Sequence, residues 1–388
     1  MTQPAHIAPT DEAYWATIRA QYAVSRDFIN LENGYFSIPA QPVANAFGRY
    51  NRQIQQEGSY FMRTSYPQRA DDVVRALATF CGTSEQELII TRNATEAMNI
   101  LIQGYPFCAD DEVITGSQEY DSVTETLEMM QRRSRLRLTR VQLPLHPQDD
   151  DEIVTLYQRA ITSRTRVIVL THMLHRTGQI LPVAKIAQMA RAHGVDVFVD
   201  AAHSFAQVDY RIADLHSDFL AANLHKWLGA PLGVGLLYVR KERVADLAPL
   251  FGDTTYPDDD IRKLAHFGTT PPAPVLAIED SIAFHNAIGG RNKEARLRYL
   301  KNYWMERVAA LPRIELLTPQ EPERSCAIGA FRIKGADAKK VSDDLFERDK
   351  IFTVAPMIDG QSAVRVTPHL YNTTDDLDCL AAALQRYD

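Results

Sequence analysis

Seven apolar runs punctuate the first two thirds of the chain. They fall at Leu88–Thr91, Glu112–Thr115, Leu136–Val141, Val167–Thr171, Val195–Val199, Phe219–Ala222 and Val234–Val239. Each has the length of a strand, and most are separated by stretches with helical spacing. Runs that are apolar at nearly every position predict strands buried on both faces. Such strands form a largely parallel sheet covered by helices. Ahead of them, Ala70–Phe80 carries a helical pattern that stops near Gly82, and Thr10-Asp11 cap a predicted helix through Ala23.

Past Phe251 the pattern changes. FGDTTYPDDD is polar and turn-rich, and Pro271, Pro272 and Pro274 follow. Val275–Ala310 then reads as a long helix interrupted at Gly289-Gly290. Strands are predicted near Ala327–Ile333 and Ala363–Thr367, and a last helix at Asp375–Tyr387 with Thr374 as its cap. The division expected is an N-terminal segment (1–27) packing with a small domain, a large α/β domain (28–272) and a small α+β C-terminal domain (273–388).

Composition narrows the function classes. A net charge of −7 argues against a nucleic-acid partner. No apolar run approaches membrane-spanning length, so no membrane association is expected. The opening MTQPAHIAPTDEAYW lacks the basic start and apolar core of a secretory signal. Cys81, Cys108, Cys326 and Cys379 are scattered and form no CxxC, which fits free thiols in a reducing, cytoplasmic setting. There is no HExxH and no paired cysteine, so no metal site is expected.

Chemistry concentrates between Val197 and Val239. One apolar run ends in Asp200, and another ends in Asn223-Leu224-His225-Lys226. Ligands of open α/β sheets sit at the carboxyl ends of the strands. A carboxylate and a lysine held there are the minimum equipment for pyridoxal 5'-phosphate (PLP). The lysine forms a Schiff base with the aldehyde, and the carboxylate keeps the pyridine nitrogen protonated. Taken singly, an Asp at a strand end is more often a helix cap and a lysine more often a surface group. A nicotinamide site fits poorly, because Gly229, Gly233 and Gly235 follow the lysine and precede a strand, the wrong order for GxGxxG. A strand-to-helix turn at Ile90–Ala97 offers the N–H groups of Ala94 and Thr95 to an anion. The helix dipole there is worth about 0.3–2 kcal/mol. Asn93 and Glu96 also have the spacing of a capping box, and both readings can hold.

VDAAHS followed by NLHKWLGAPLGVGLLYVR resembles the class V aminotransferases, a branch of the fold-type I PLP enzymes, and most of all the branch named for isopenicillin N epimerase. The resemblance runs from about Asn30 to Asp378. It implies the fold-type I PLP-dependent transferase fold: a large domain with a seven-stranded, mostly parallel sheet and a small α+β domain. It implies PLP as cofactor, Lys226 as its covalent anchor and catalytic base, and Asp200 as partner of the ring nitrogen. Ala94, Thr95, Asn223 and His225 match phosphate-holding positions. Asn223 stands where many relatives have Ser. Tyr120 matches the aromatic residue or His stacked on the ring. His203 matches a Gln or His that approaches the phenolic oxygen. His175 stands where relatives have Asn, so HRTG either marks a subgroup or is a polar turn. Thr269 resembles a threonine that reaches the neighbouring subunit's phosphate, which implies a homodimer with shared active sites. Pro271 stands where relatives often have Asn.

The same resemblance assigns Arg365, in VRVTPHLYNT, to the substrate α-carboxylate, which its planar fork suits. Asn33 and Tyr35 sit in an Asn-Gly-aromatic loop that borders the site in the family, although the residues alone fit an ordinary turn equally well. Arg63 and Tyr66 are weaker matches for the side-chain pocket. The expected substrate is a small-molecule amino acid. Transamination needs only Lys226 and ranks first. Epimerisation needs a second acid, for which His172, His175 or Tyr35 are candidates. β-Elimination is a further alternative. A desulfurase is disfavoured, because the loop PMIDGQSAVR before Arg365 has no cysteine. A PLP-fold protein that binds without catalysis would lack the lysine or the aspartate.

Overall fold

The computed structural model describes residues 5–387. Its centre is a seven-stranded sheet. In chain order the strands are β1 (Leu88–Thr91), β2 (Glu112–Gly116), β3 (Arg137–Val141), β4 (Thr165–Thr171), β5 (Asp196–Asp200), β6 (Phe219–Asn223) and β7 (Gly235–Val239). Their spatial order is β1-β7-β6-β5-β4-β2-β3, and β7 alone runs antiparallel to its neighbours. All seven expected strands are present with ends shifted by two residues at most. β6 and β7 are buried throughout and β4 at every position but Arg166, as apolar runs without alternation require, while the edge strand β3 is partly exposed.

One apolar cluster fills each face of this sheet. Leu220 and Leu236 point into one, and Phe198 and Leu237 into the other. The register sets Thr171 beside Asp200 and Asp200 beside Ala221. The carboxyl ends of β4, β5 and β6 therefore form one continuous edge. The turn after β1 presses onto β7 at Gly235. A Cβ there would lie 2.7 Å from the backbone of Asn93, so only glycine lets the helix Ala94–Gly104 start at this edge.

Beyond the sheet, a three-stranded antiparallel sheet of Ile314–Leu316, Gly329–Ile333 and Val364–Val366 packs with the helices Gly290–Val308 and Thr374–Leu384. The long helix expected over Val275–Ala310 is broken, as its glycines imply, at Gly289 with φ 89°. The N-terminal helix is capped by Asp11 but stops at Arg19, short of Ala23, where the chain turns to pair Gln21 with Gln41. The last helix is capped by Thr373 rather than Thr374. Thr373 is the residue whose spacing to Asp376 closes a reciprocal cap. Among the described residues no helix is long and apolar enough to cross a membrane.

Candidate active site

Asp200 closes β5 and is buried, and its Oδ1 accepts the Ala202 N–H at 2.8 Å. Burial raises its pKa, and the Ala202 N–H and Lys226 oppose that shift. Lys226 stands in the tight loop after β6. Leu224 N–H to Val234 O and Gly229 N–H to Lys226 O close this loop, each at 3.1 Å. The lysine is buried and its Nζ lies 3.0 Å from His203 Nε2. Burial brings its pKa down to about 8. Asp200 pulls it up again and Arg365 pushes it further down. Much more of this amine is therefore neutral near neutral pH, and able to take a proton or attack a carbonyl, than of a lysine in water. Burial, with the nearby Lys226 charge, pushes His203 far below the usual imidazole range, so its ring is neutral. Trp227 Nε1–H donates to His203 Nδ1 at 3.5 Å, which leaves the ring proton on Nε2, facing the amine.

These groups open onto a cavity of about 300 Å³. Ala94, Thr95, Tyr120, His175, His203, Asn223 and His225 all form its wall with Asp200 and Lys226. The anion cradle differs in one detail from the expectation. The Ala94 N–H is not free, because it donates to Asn223 Oδ1 at 2.9 Å. Asn223 thereby ties the helix start to the loop of the lysine. Thr95 Oγ1 lies 3.2 Å from Ser122 Oγ, so two hydroxyls meet at the helix N-terminus. The capping reading holds as well, with Asn93 Oδ1 accepting the Glu96 N–H at 2.9 Å. His225 Nδ1 meets Val234 O at 2.9 Å. A carbonyl only accepts, so Nδ1 carries the proton and Nε2 is left for a ligand. Burial lowers the His225 pKa, and an anion at Nε2 would raise it again.

Tyr120 stands edge-on to His175, with ring centroids 5.3 Å apart, and His175 stacks on His203 at 6.4 Å. His175 Nδ1 is buried and has no partner among the described residues. Its pKa is driven far down by burial and the nearby Arg176 and Arg365 charges. This set fits PLP: an amine for the aldehyde, a carboxylate for the ring nitrogen, an aromatic wall, hydroxyls at a helix N-terminus and an unpaired buried imidazole nitrogen.

Arg365 lies just outside this wall, buried, with Nη1 donating to His175 O at 2.6 Å. Its other edge is held by Glu32, which the sequence reading passed over. Tyr35 borders the cavity and lays its ring over the Arg365 guanidinium at 4.7 Å. Asn33 does not face the cavity. Its side chain is used up by Thr367 O at 2.8 Å and by the Tyr371 hydroxyl. Arg63 is exposed on the short helix Ser59–Thr64, and Thr269 is exposed; neither reaches this chain's own cavity. Glu119 was also missed. It is buried behind the site, its carboxyl pushed up to about 8 by burial, and it accepts the Thr171 N–H at 3.2 Å. The only hint in the sequence was its place one residue before Tyr120. No cysteine borders the cavity.

An open sheet carrying Asp and Lys at its carboxyl edge is the arrangement found in fold-type I PLP enzymes. The chain belongs to the family described as "Aminotransferase class-V", whose profile matches residues 41–380. This membership indicates PLP as the cofactor. The chain is 29% identical to isopenicillin N epimerase of Streptomyces clavuligerus, over 96% of this chain and 98% of that protein. In fold it is similar to the apo cysteine desulfurase of Thermococcus onnurineus NA1, with a TM-score of 0.85 at 19% identity, covering 96% of this chain and 97% of that one. It is equally similar, at TM-score 0.85 and 19% identity, to a variant of C-DES with glycine covalently linked to its PLP, covering 94% and 98%.

Proposed function

We propose that the protein is an aminotransferase acting at the α-carbon of an amino acid. One observation carries this reading: Lys226 is the one lysine in the cavity wall, and it is poised near neutrality by burial. His175 and His203 are held neutral beside it, and no thiol is at hand. Transamination needs a single mobile base, whereas epimerisation needs a second acid on the opposite face as well.

When bound, PLP supplies an electron sink at the α-carbon. The protein's own groups do the rest. Arg365 binds the substrate carboxylate and so fixes which α-bond faces Lys226. Lys226 Nζ would take the α-proton and deliver it on the same face to the cofactor's former aldehyde carbon, so that the amino group stays with the cofactor and water releases the keto acid. His203 Nε2–H hydrogen-bonds the amine when it is neutral. Asp200 would hold the proton of the ring nitrogen. Thr95, Asn223 and His225 would hold the phosphate end, and Tyr120 would back the ring.

Epimerisation is the second reading. The unpaired Nδ1 of His175 at the cavity favours it, as does the similarity to isopenicillin N epimerase. One experiment separates the two. L- and D-amino acids are incubated in deuterated water with and without pyruvate or 2-oxoglutarate. Keto acid that appears only with the acceptor is the expected result. Label gain with inverted configuration and no acceptor means an epimerase. Ammonia and pyruvate from a β-substituted substrate mean a lyase. Either of these two outcomes overturns the proposal.

The same reading makes the working unit a homodimer, with Thr269 given to the partner's phosphate site. Thr269 is exposed here, and the cavity rim carries Phe36 and Leu232 exposed at 60% and 59%, an apolar surface that a second copy would cover. A Lys226→Ala subunit mixed with a Thr269→Ala subunit is expected to regain activity, because one site of the mixed dimer carries neither lesion. No recovery despite proven exchange contradicts sharing. Four free cysteines fit the reducing, cytoplasmic setting we assign to it.

A further inference from the structure

Arg365 does not wait alone for a carboxylate. Its Nη2 donates to Glu32 Oε1 at 2.8 Å and its Nε to Glu32 Oε2 at 3.3 Å, with the two side chains 1% and 4% exposed. Nη1 is committed to His175 O at 2.6 Å. A guanidinium has five N–H groups, so one on Nη1 and one on Nη2 remain. Glu32 Oε1 also accepts the Tyr35 N–H at 2.8 Å.

The acid is fixed and cannot swing away cheaply. Glu32 is bridged to Thr367, and the Thr367 N–H bonds Leu31 O at 2.7 Å. The next residue is held too, with the Asn33 N–H 2.6 Å from Thr367 Oγ1. Glu32 is thus pinned to the segment that carries Arg365. Gly34 confirms how closely the loop is built around the pair. A Cβ at Gly34 would lie 2.8 Å from Arg365 Nη2 and 2.9 Å from Cζ. Tyr35, by contrast, is half-exposed; its ring stacks on the face of the guanidinium and borders the cavity, leaving the in-plane N–H groups uncovered.

We propose that Glu32 is the positioning residue of the substrate carboxylate site. It clamps Arg365 by its Nε/Nη2 edge, so that a substrate carboxylate meets only the Nη1–H and Nη2–H that remain. The recognition unit is the Glu32–Arg365 pair, and it takes one carboxylate end-on. This rests on the reading of Arg365 as the carboxylate-binding residue.

The test titrates holoenzyme with each of the twenty standard L-amino acids, read by cofactor absorbance. Each amino acid that perturbs the spectrum is paired with its decarboxylated amine. Glu32→Gln keeps the shape but turns an N–H towards the arginine in place of an acceptor. It is expected to weaken the amino acids about tenfold, the loss of one charge-assisted hydrogen bond, and to leave the amines unchanged. Gly34→Ala displaces the guanidinium without touching any charge and should give the same split. Glu32→Gln combined with Arg365→Ala should be no worse than Arg365→Ala alone. Unchanged or tighter amino-acid binding in Glu32→Gln overturns the proposal, as does equal weakening of acid and amine. Should Arg365→Ala itself leave the acid-to-amine ratio untouched, or should no amino acid bind, the carboxylate reading beneath it fails first. A loss in Arg365→Ala without one in Glu32→Gln sinks the positioning role alone.

Discussion

Lys226→Ala is expected to slow α-proton exchange by about 10²–10⁴-fold, the range a positioned general base contributes. The expectation rests on the singularity of this amine. Among the groups bordering the cavity, Asp200 is buried and would be taken up by the ring nitrogen, and His175 and His203 are pushed well below the usual imidazole range. A neutral imidazole can accept a proton, but one with so low a pKa is a poor base. His203 is moreover tied up, since Trp227 holds its Nδ1. Exchange of the α-proton of the best-binding amino acid in deuterated water, followed by NMR, checks this. A small exogenous amine should restore part of the rate. Exchange near the parent rate would move the base to another residue.

Asp200→Asn should still bind PLP yet lose about ten- to a thousandfold in the same exchange. An opposite charge within contact distance shifts a partner's pKa by about 1–3 units, and a neutral amide forfeits that. The fold should tolerate the change. Oδ1 of the amide can still accept the Ala202 N–H, the one hydrogen bond the carboxylate makes within the described residues. Cofactor titration of the variant separates lost binding from lost chemistry. Retained binding with near-normal exchange contradicts the role.

Much of this was legible in the chain because of how the sheet is buried. Strands covered on both faces must be apolar at nearly every position, so β4 to β7 are visible as runs. A polar residue ending such a run stands out, which is why Asp200 and Lys226 are easy to find. The helix start at Ala94 was legible from its own cap, but the loss of its free N–H to Asn223 was not. That bond joins segments far apart in sequence. Glu32 was invisible for the same reason. Nothing in LENGYF distinguishes a solvated acid from one buried against Arg365, and only the pairing of Glu32 with Thr367 brings the two together. Asn33 misled because the loop resembles a site border, whereas its amide is spent on holding the loop shut. The cap at Thr373 rather than Thr374 is a one-residue ambiguity between adjacent threonines, decided by the reciprocal bond with Asp376.

The central claim is that Lys226 covalently carries PLP, and borohydride tests it most directly. Purified protein reconstituted with PLP should be yellow, lose that colour on reduction, and yield on digestion one peptide bearing the reduced cofactor on Lys226. The cofactor fixed on any other lysine, or none fixed after reconstitution, would contradict the account.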